Sequence, residues 1–118
     1  GTEIVSASTD SSLKLWSAQP GGGLTCTYGG HRNEKNFVGL ATSSNYVSCG
    51  SEDNCVYTYY KAVSSPLIAY SFSSGNPIAG EEAEDANQFV SSVCWCPKYP
   101  STLLAANSQG IIKVLELC

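Results

Sequence analysis

His31 is the only histidine in the chain. With Ser48 and Asp53 it supplies the residue types of a hydrolase relay, in which an imidazole takes the serine proton and a carboxylate orients the imidazole. That chemistry needs more than the types. Ser48 lies in no G-x-S-x-G elbow, and no glycine cluster beside it offers an oxyanion hole. Cys94-Trp95-Cys96 is a C-x-C; without paired C-x-x-C spacing or a second histidine it lacks the pattern of a tetrahedral zinc site. Glu81, Glu82, Glu84 and Asp85 are a dense acid run that misses the D-x-[DN]-x-[DN]-G spacing of a calcium loop. They read as a solvated loop. No catalytic residue, metal or cofactor is expected, and the chain is not expected to be an enzyme.

Of the 118 residues, 42% are hydrophobic and only 14% charged, against about 25% charged in an average soluble protein. Such a chain should pack a core. The net charge is -4, and the basic residues Lys14, Arg32, Lys35, Lys61, Lys98 and Lys113 are scattered along the length, so nucleic acid is not an expected partner. No apolar run approaches the roughly 20 residues of a bilayer span, and the N-terminus has no basic stretch leading into an apolar one. Neither a membrane partner nor a signal peptide is expected. The 6 cysteines allow 15 disulfide connectivities. Cys49, Cys55, Cys94 and Cys96, however, lie in or beside alternating segments, which suits free thiols packed as small hydrophobes.

The elements that must position these residues are strands. Leu13 to Trp16, Val56 to Tyr59 and Ile112 to Leu115 alternate and are rich in β-branched, aromatic or aliphatic types. Each follows a polar turn, at 8–11, 51–54 and 107–110, and each turn follows another strand, Ile4 to Ala7, Tyr46 to Gly50 and Leu103 to Ala106. Overlaying Asp10, Asp53 and Gln109 brings Leu13, Val56 and Ile112 into register, then Trp16, Tyr59 and Leu115, at intervals of 43 and 56 residues. A period of about 40 to 45 residues is that of a four-stranded propeller blade. The longer interval contains 73–87, where alternation stops and the acid run falls; it reads as a loop insertion. Leu24 to Tyr28, Phe37 to Thr42, Leu67 to Phe72 and Phe89 to Trp95 are the remaining strand candidates.

The expected fold is therefore all-β, a propeller fragment of about two and a half four-stranded blades. Its expected divisions are a last hairpin at 1–17, a full blade at 24–60 and a final blade at 67–118. Such a fragment leaves sheet edges open, because propellers close with about four to eight blades. The chain is expected to be a piece of a longer polypeptide.

Gly30-His31, the hairpin around Asp53, the aromatic Tyr59 and Lys14-Leu15-Trp16 resemble WD40-repeat proteins, whose blades carry a Gly-His pair and end near Trp-Asp. Here Ser17 stands in place of the Asp, and Tyr59 and Leu115 in place of the Trp. The resemblance implies a structural hydrogen-bonded set of His31, Ser48, Asp53 and Tyr59. A buried set of this kind stabilises when each donor finds an acceptor; an unsatisfied member costs about 1 to 3 kcal/mol.

A narrower resemblance covers Gly29 to Cys118. NEKNFVGL at 33–40, Cys49-Gly50-Ser51-Glu52, Val56-Tyr57, SSVCW at 91–95 and ANSQG at 106–110 are similar to the C-terminal propeller blades of a plant family. It comprises the constitutively photomorphogenic E3 ubiquitin ligase and the suppressor-of-phytochrome-A (SPA) proteins. The resemblance implies a seven-bladed parent and nuclear residence. It also implies a protein-binding module that brings Val-Pro-containing peptides of transcription factors or photoreceptors to a ubiquitin ligase complex in light signalling. Phe37 matches the aromatic wall of the Val-Pro pocket and Glu34 an acidic residue beside it. Valine and proline are rigid and apolar, so an aromatic face can bury them at little entropic cost. Two other readings stay open: a generic WD40 scaffold without Val-Pro recognition, and a small secreted β-domain with disulfides.

Overall fold

The computed structural model describes residues 2–72 and 88–117. Its strands are β1 (Glu3–Ser8), β2 (Ser12–Ser17), β3 (Leu24–Tyr28), β4 (Leu40–Thr42), β5 (Tyr46–Gly50), β6 (Cys55–Tyr60), β7 (Ile68–Ser71), β8 (Val90–Trp95), β9 (Thr102–Asn107) and β10 (Ile112–Glu116). They form three antiparallel sheets, β1-β2-β3, β4-β5-β6-β7 and β10-β9-β8. The expected insertion at 73–87 and Cys118 lie outside the described residues.

The three hairpins are equivalent in register. Ala7 pairs with Leu13, Gly50 with Val56 and Ala106 with Ile112. Three steps down each ladder, Ile4 pairs with Trp16, Val47 with Tyr59 and Leu103 with Leu115. These are the positions that the sequence overlay aligned. The turns repeat as well, since Ser11, Asn54 and Gly110 all take positive φ, at 64°, 63° and 83°. Only a glycine adopts that conformation freely, with asparagine the next most tolerant.

The ladders group strands differently from the expected blade divisions. Leu24–Tyr28, expected to open the blade at 24–60, pairs with β2, and Ile68–Ser71, expected to open the last blade, pairs with β6. Short connections make hairpin neighbours within one sheet, so the segments at 18–23 and 61–67 stay inside a sheet while 29–39 crosses to the next. Among the described residues the last sheet consequently has three strands, and β10 has no outer partner comparable to β7.

Two cores separate the sheets. Leu13, Leu15, Tyr28, Val47, Cys49 and Tyr59 fill the space between the first and second sheets. Val56, Phe72, Val90, Val93, Trp95, Leu103 and Ala105 fill that between the second and third. The middle sheet thus buries both faces, which is why Tyr46–Gly50 shows almost no polar alternation in its burial. Gly39 and Gly50 allow the close approach of β8: a Cβ at Gly39 would lie 2.6 Å from Ser92 Cα, and one at Gly50 would lie 2.9 Å from Val90 Cβ.

Candidate functional site

The segment 29–39 runs along one end of the sheets and is pinned by side chains of two hairpin turns. From the first, Ser11 Oγ accepts the Asn33 N–H at 2.8 Å and donates to Asn33 O at 3.1 Å. From the second, Ser51 Oγ accepts the Arg32 N–H at 2.9 Å and donates to Arg32 O at 3.1 Å. The Glu52 N–H adds a bond to Arg32 O at 2.8 Å. Small hydroxyl residues at these turns act as substitutes for a strand partner, satisfying backbone groups that would otherwise be buried unpaired.

Beyond Asn33 the Glu52 carboxylate takes over. One oxygen accepts the Glu34 N–H. The other accepts the Lys35 N–H at 3.3 Å, the Asn36 N–H at 3.0 Å and the Asn36 carboxamide at 2.6 Å. Glu52 is only 5% exposed. Desolvation works to raise its pKa, but the donors of Glu34, Asn36 and Lys35 outweigh it and hold the carboxyl below its usual value.

Phe37 follows immediately and is 96% exposed. It was expected to open a strand; β4 instead starts at Leu40, and the ring lies outside both cores. Glu34 projects into solvent, with its carboxylate 3.4 Å from Arg32 Nε in an exposed ion pair. Such a pair contributes little to stability.

Earlier in the same segment, His31 turns inward and is 5% exposed. Its Nδ1 lies 2.8 Å from the Tyr59 hydroxyl, and its ring meets those of Tyr57 and Tyr59 at centroid distances of 6.1 and 6.0 Å. Burial lowers its pKa and prevails over the Asp53 and Asp10 charges, which pull it upward. The imidazole is therefore neutral at pH 7, with Nε2 buried and unpartnered among the described residues.

The structure joins His31 to Tyr59 but does not join all four members of the expected set. Asp53 accepts a 2.6 Å bond from the Tyr57 hydroxyl rather than from His31. Ser48 pairs with Thr58 at 2.8 Å. The reason is the pleat: Ser48 and Thr58 are cross-strand partners on one face, while Val47, Cys49, Tyr57 and Tyr59 occupy the other, where His31 packs. Cys49, beside Ser48 in β5 but on the histidine's side, is fully buried, with burial and then Asp53 pushing its thiol up to about 12. A shift of one residue along the strand separates it from the expected Ser48.

Among the described residues no three His, Cys, Asp or Glu side chains converge as a metal site. Among the described residues Cys26, Cys49, Cys55, Cys94 and Cys96 are free thiols.

No protein-family model matches the chain. Known proteins do. It is 52% identical over 97% of its length to Protein SUPPRESSOR OF PHYA-105 1 of Arabidopsis thaliana, and 49% identical over 98% to the E3 ubiquitin-protein ligase COP1 of the same plant. It is 39% identical over 97% to the Arabidopsis WD repeat-containing protein RUP2. The chain spans 12%, 17% and 31% of those proteins, respectively. Identity of this order along three sheets of equivalent register places the chain in the SPA and COP1 family, as part of its WD40-repeat β-propeller.

Proposed function

We propose that this chain forms part of a peptide-receiving propeller surface, and that Phe37 and Glu34 contact a short guest carrying a Val-Pro pair. The observation that carries this reading is the 96% exposure of Phe37, directly after five residues, Arg32 to Asn36, whose amides are all bonded. A ring left in water has its whole apolar face to bury, and a rigid apolar guest can cover it at little entropic cost. Glu34 beside it supplies a charge at the rim, where it steers partner choice more than affinity.

The relatives support a reading for the whole polypeptide. One of them is named as an E3 ubiquitin-protein ligase and another as a suppressor of PHYA-105. We infer a protein-interaction module serving a ubiquitin ligase complex in plant light signalling, resident in the nucleus, with transcription factors or photoreceptors as peptide donors. The module recruits; it needs no cofactor.

The test is Phe37→Ala in the full-length polypeptide, titrated by calorimetry with a peptide carrying an acidic stretch and a Val-Pro pair. The expected loss is about 1 to 3 kcal/mol with the fold intact. Unchanged affinity removes Phe37 from the site and favours a generic WD40 scaffold.

A further inference from the structure

We propose that Glu52 is the positioning residue of this surface: its buried carboxylate clamps residues 34 to 36 and so fixes the direction in which Phe37 leaves the fold. The role rests on the reading of Phe37 as a peptide contact.

Glu52 belongs to the β5–β6 turn, whereas the loop it holds enters from the preceding sheet. Ion pairing does not satisfy its charge, because the ion pairs found among the described residues are Arg32–Glu34 and Lys61–Glu3. N–H donors satisfy it instead, from Glu34, Lys35 and Asn36 in succession, and the Asn36 carboxamide adds another. A carboxylate withdrawn from water without a cation is costly unless such donors surround it. A path of 34–36 that withdrew these donors would cost the carboxylate its hydrogen bonds, which favours the conformation observed. These bonds stop one residue short of Phe37, whose side chain no core holds in place. A loop ordered before binding spares the guest the cost of ordering it, and this raises affinity without a new contact.

The test uses the full-length polypeptide, the Val-Pro peptide and a double-mutant cycle. Glu52→Gln keeps the size of the side chain, removes its charge and turns an N–H₂ toward amide donors. Alone, E52Q should weaken the peptide about tenfold, the equivalent of one hydrogen bond to a charged group. In an F37A background it should weaken it by only about twofold, since Glu52 then acts only through Glu34, whose amide it also holds and whose rim charge adds little affinity. Hydrogen exchange across residues 33–37 should accelerate in E52Q. Where E52Q does not fold, Asn36→Ala replaces it; the lost 2.6 Å side-chain bond should weaken the peptide about threefold, and only when Phe37 is present. If F37A weakens binding while a folded E52Q leaves it unchanged, or if E52Q weakens binding equally in both backgrounds, the positioning role is overturned and the peptide site stands. If F37A binds as the parent does, the peptide site itself falls and the role with it.

Discussion

The carboxamide of Asn107 donates to the carboxamide oxygen of Asn54 at 3.2 Å, linking the hairpin turn of the third sheet to that of the second. Both residues are buried. Asn107 also accepts the Gln109 and Ile111 N–H groups, each at 3.1 Å, so a single side chain shapes its own turn and anchors it to the neighbouring one. Asn107→Ala leaves these groups without partners and should lower stability by about 1 to 3 kcal/mol. Urea unfolding of the full-length polypeptide measures it.

Glycine at position 50 is a packing requirement rather than a flexibility device. A Cβ there meets the Val90 carbonyl and lies 2.9 Å from its Cβ, whereas one at Gly23 meets nothing within 4 Å. Gly50→Ala should destabilise by about 1 to 3 kcal/mol through overpacking, and Gly23→Ala should stay within about 0.5 kcal/mol of the parent. Thermal midpoints of the two variants separate the cases.

Protonation of His31 opposes folding. The unfolded imidazole takes up a proton near its ordinary value of about 6.5, but the native one resists, because burial outweighs the Asp53 and Asp10 charges. Below that pH the unfolded state binds more protons. Stability contributed by the neutral imidazole is therefore complete above about pH 6.5 and declines as the pH falls toward the lower native value. Melting temperatures measured downward from neutral pH should fall in the parent and fall less steeply in His31→Asn.

Thiol reactivity should follow burial. Cys94 is exposed and Cys49 is buried, with the Cys49 thiol pushed up to about 12 by desolvation and then by Asp53. Since the thiolate is the reacting form, alkylation of native protein followed by peptide mapping should label Cys94 first. Cys49 should react only on unfolding. Loss of labelling at Cys94 without a reductant would mean that this thiol is already paired.

Much of the fold was legible because its signals are local. Leu24 to Tyr28 and Tyr46 to Gly50 appear with the expected limits, and the overlay of Asp10, Asp53 and Gln109 predicted the hairpin register. β-branched and aromatic alternation sets the face of a strand, and Ser, Asp, Asn and Gly set the turn. Less was legible at the site. Phe37 carried the same apolar signal as a core residue, and composition cannot tell a phenylalanine that opens a strand from one held outside it. Glu52 looked like an ordinary turn acid, since its donors lie 16 to 18 residues upstream.

The chain's own order of residues determined that it is built of repeated hairpins, how each pairs, and which family it joins, because pleat, turn and period are properties of neighbours along the backbone. Only the tertiary structure decided that Cys49 rather than Ser48 shares the face of His31, that β3 and β7 close the sheets before them, and that a buried carboxylate holds the loop before Phe37. Those outcomes depend on where a polar group finds its partner once water is excluded, and here the partner comes from a distant part of the chain.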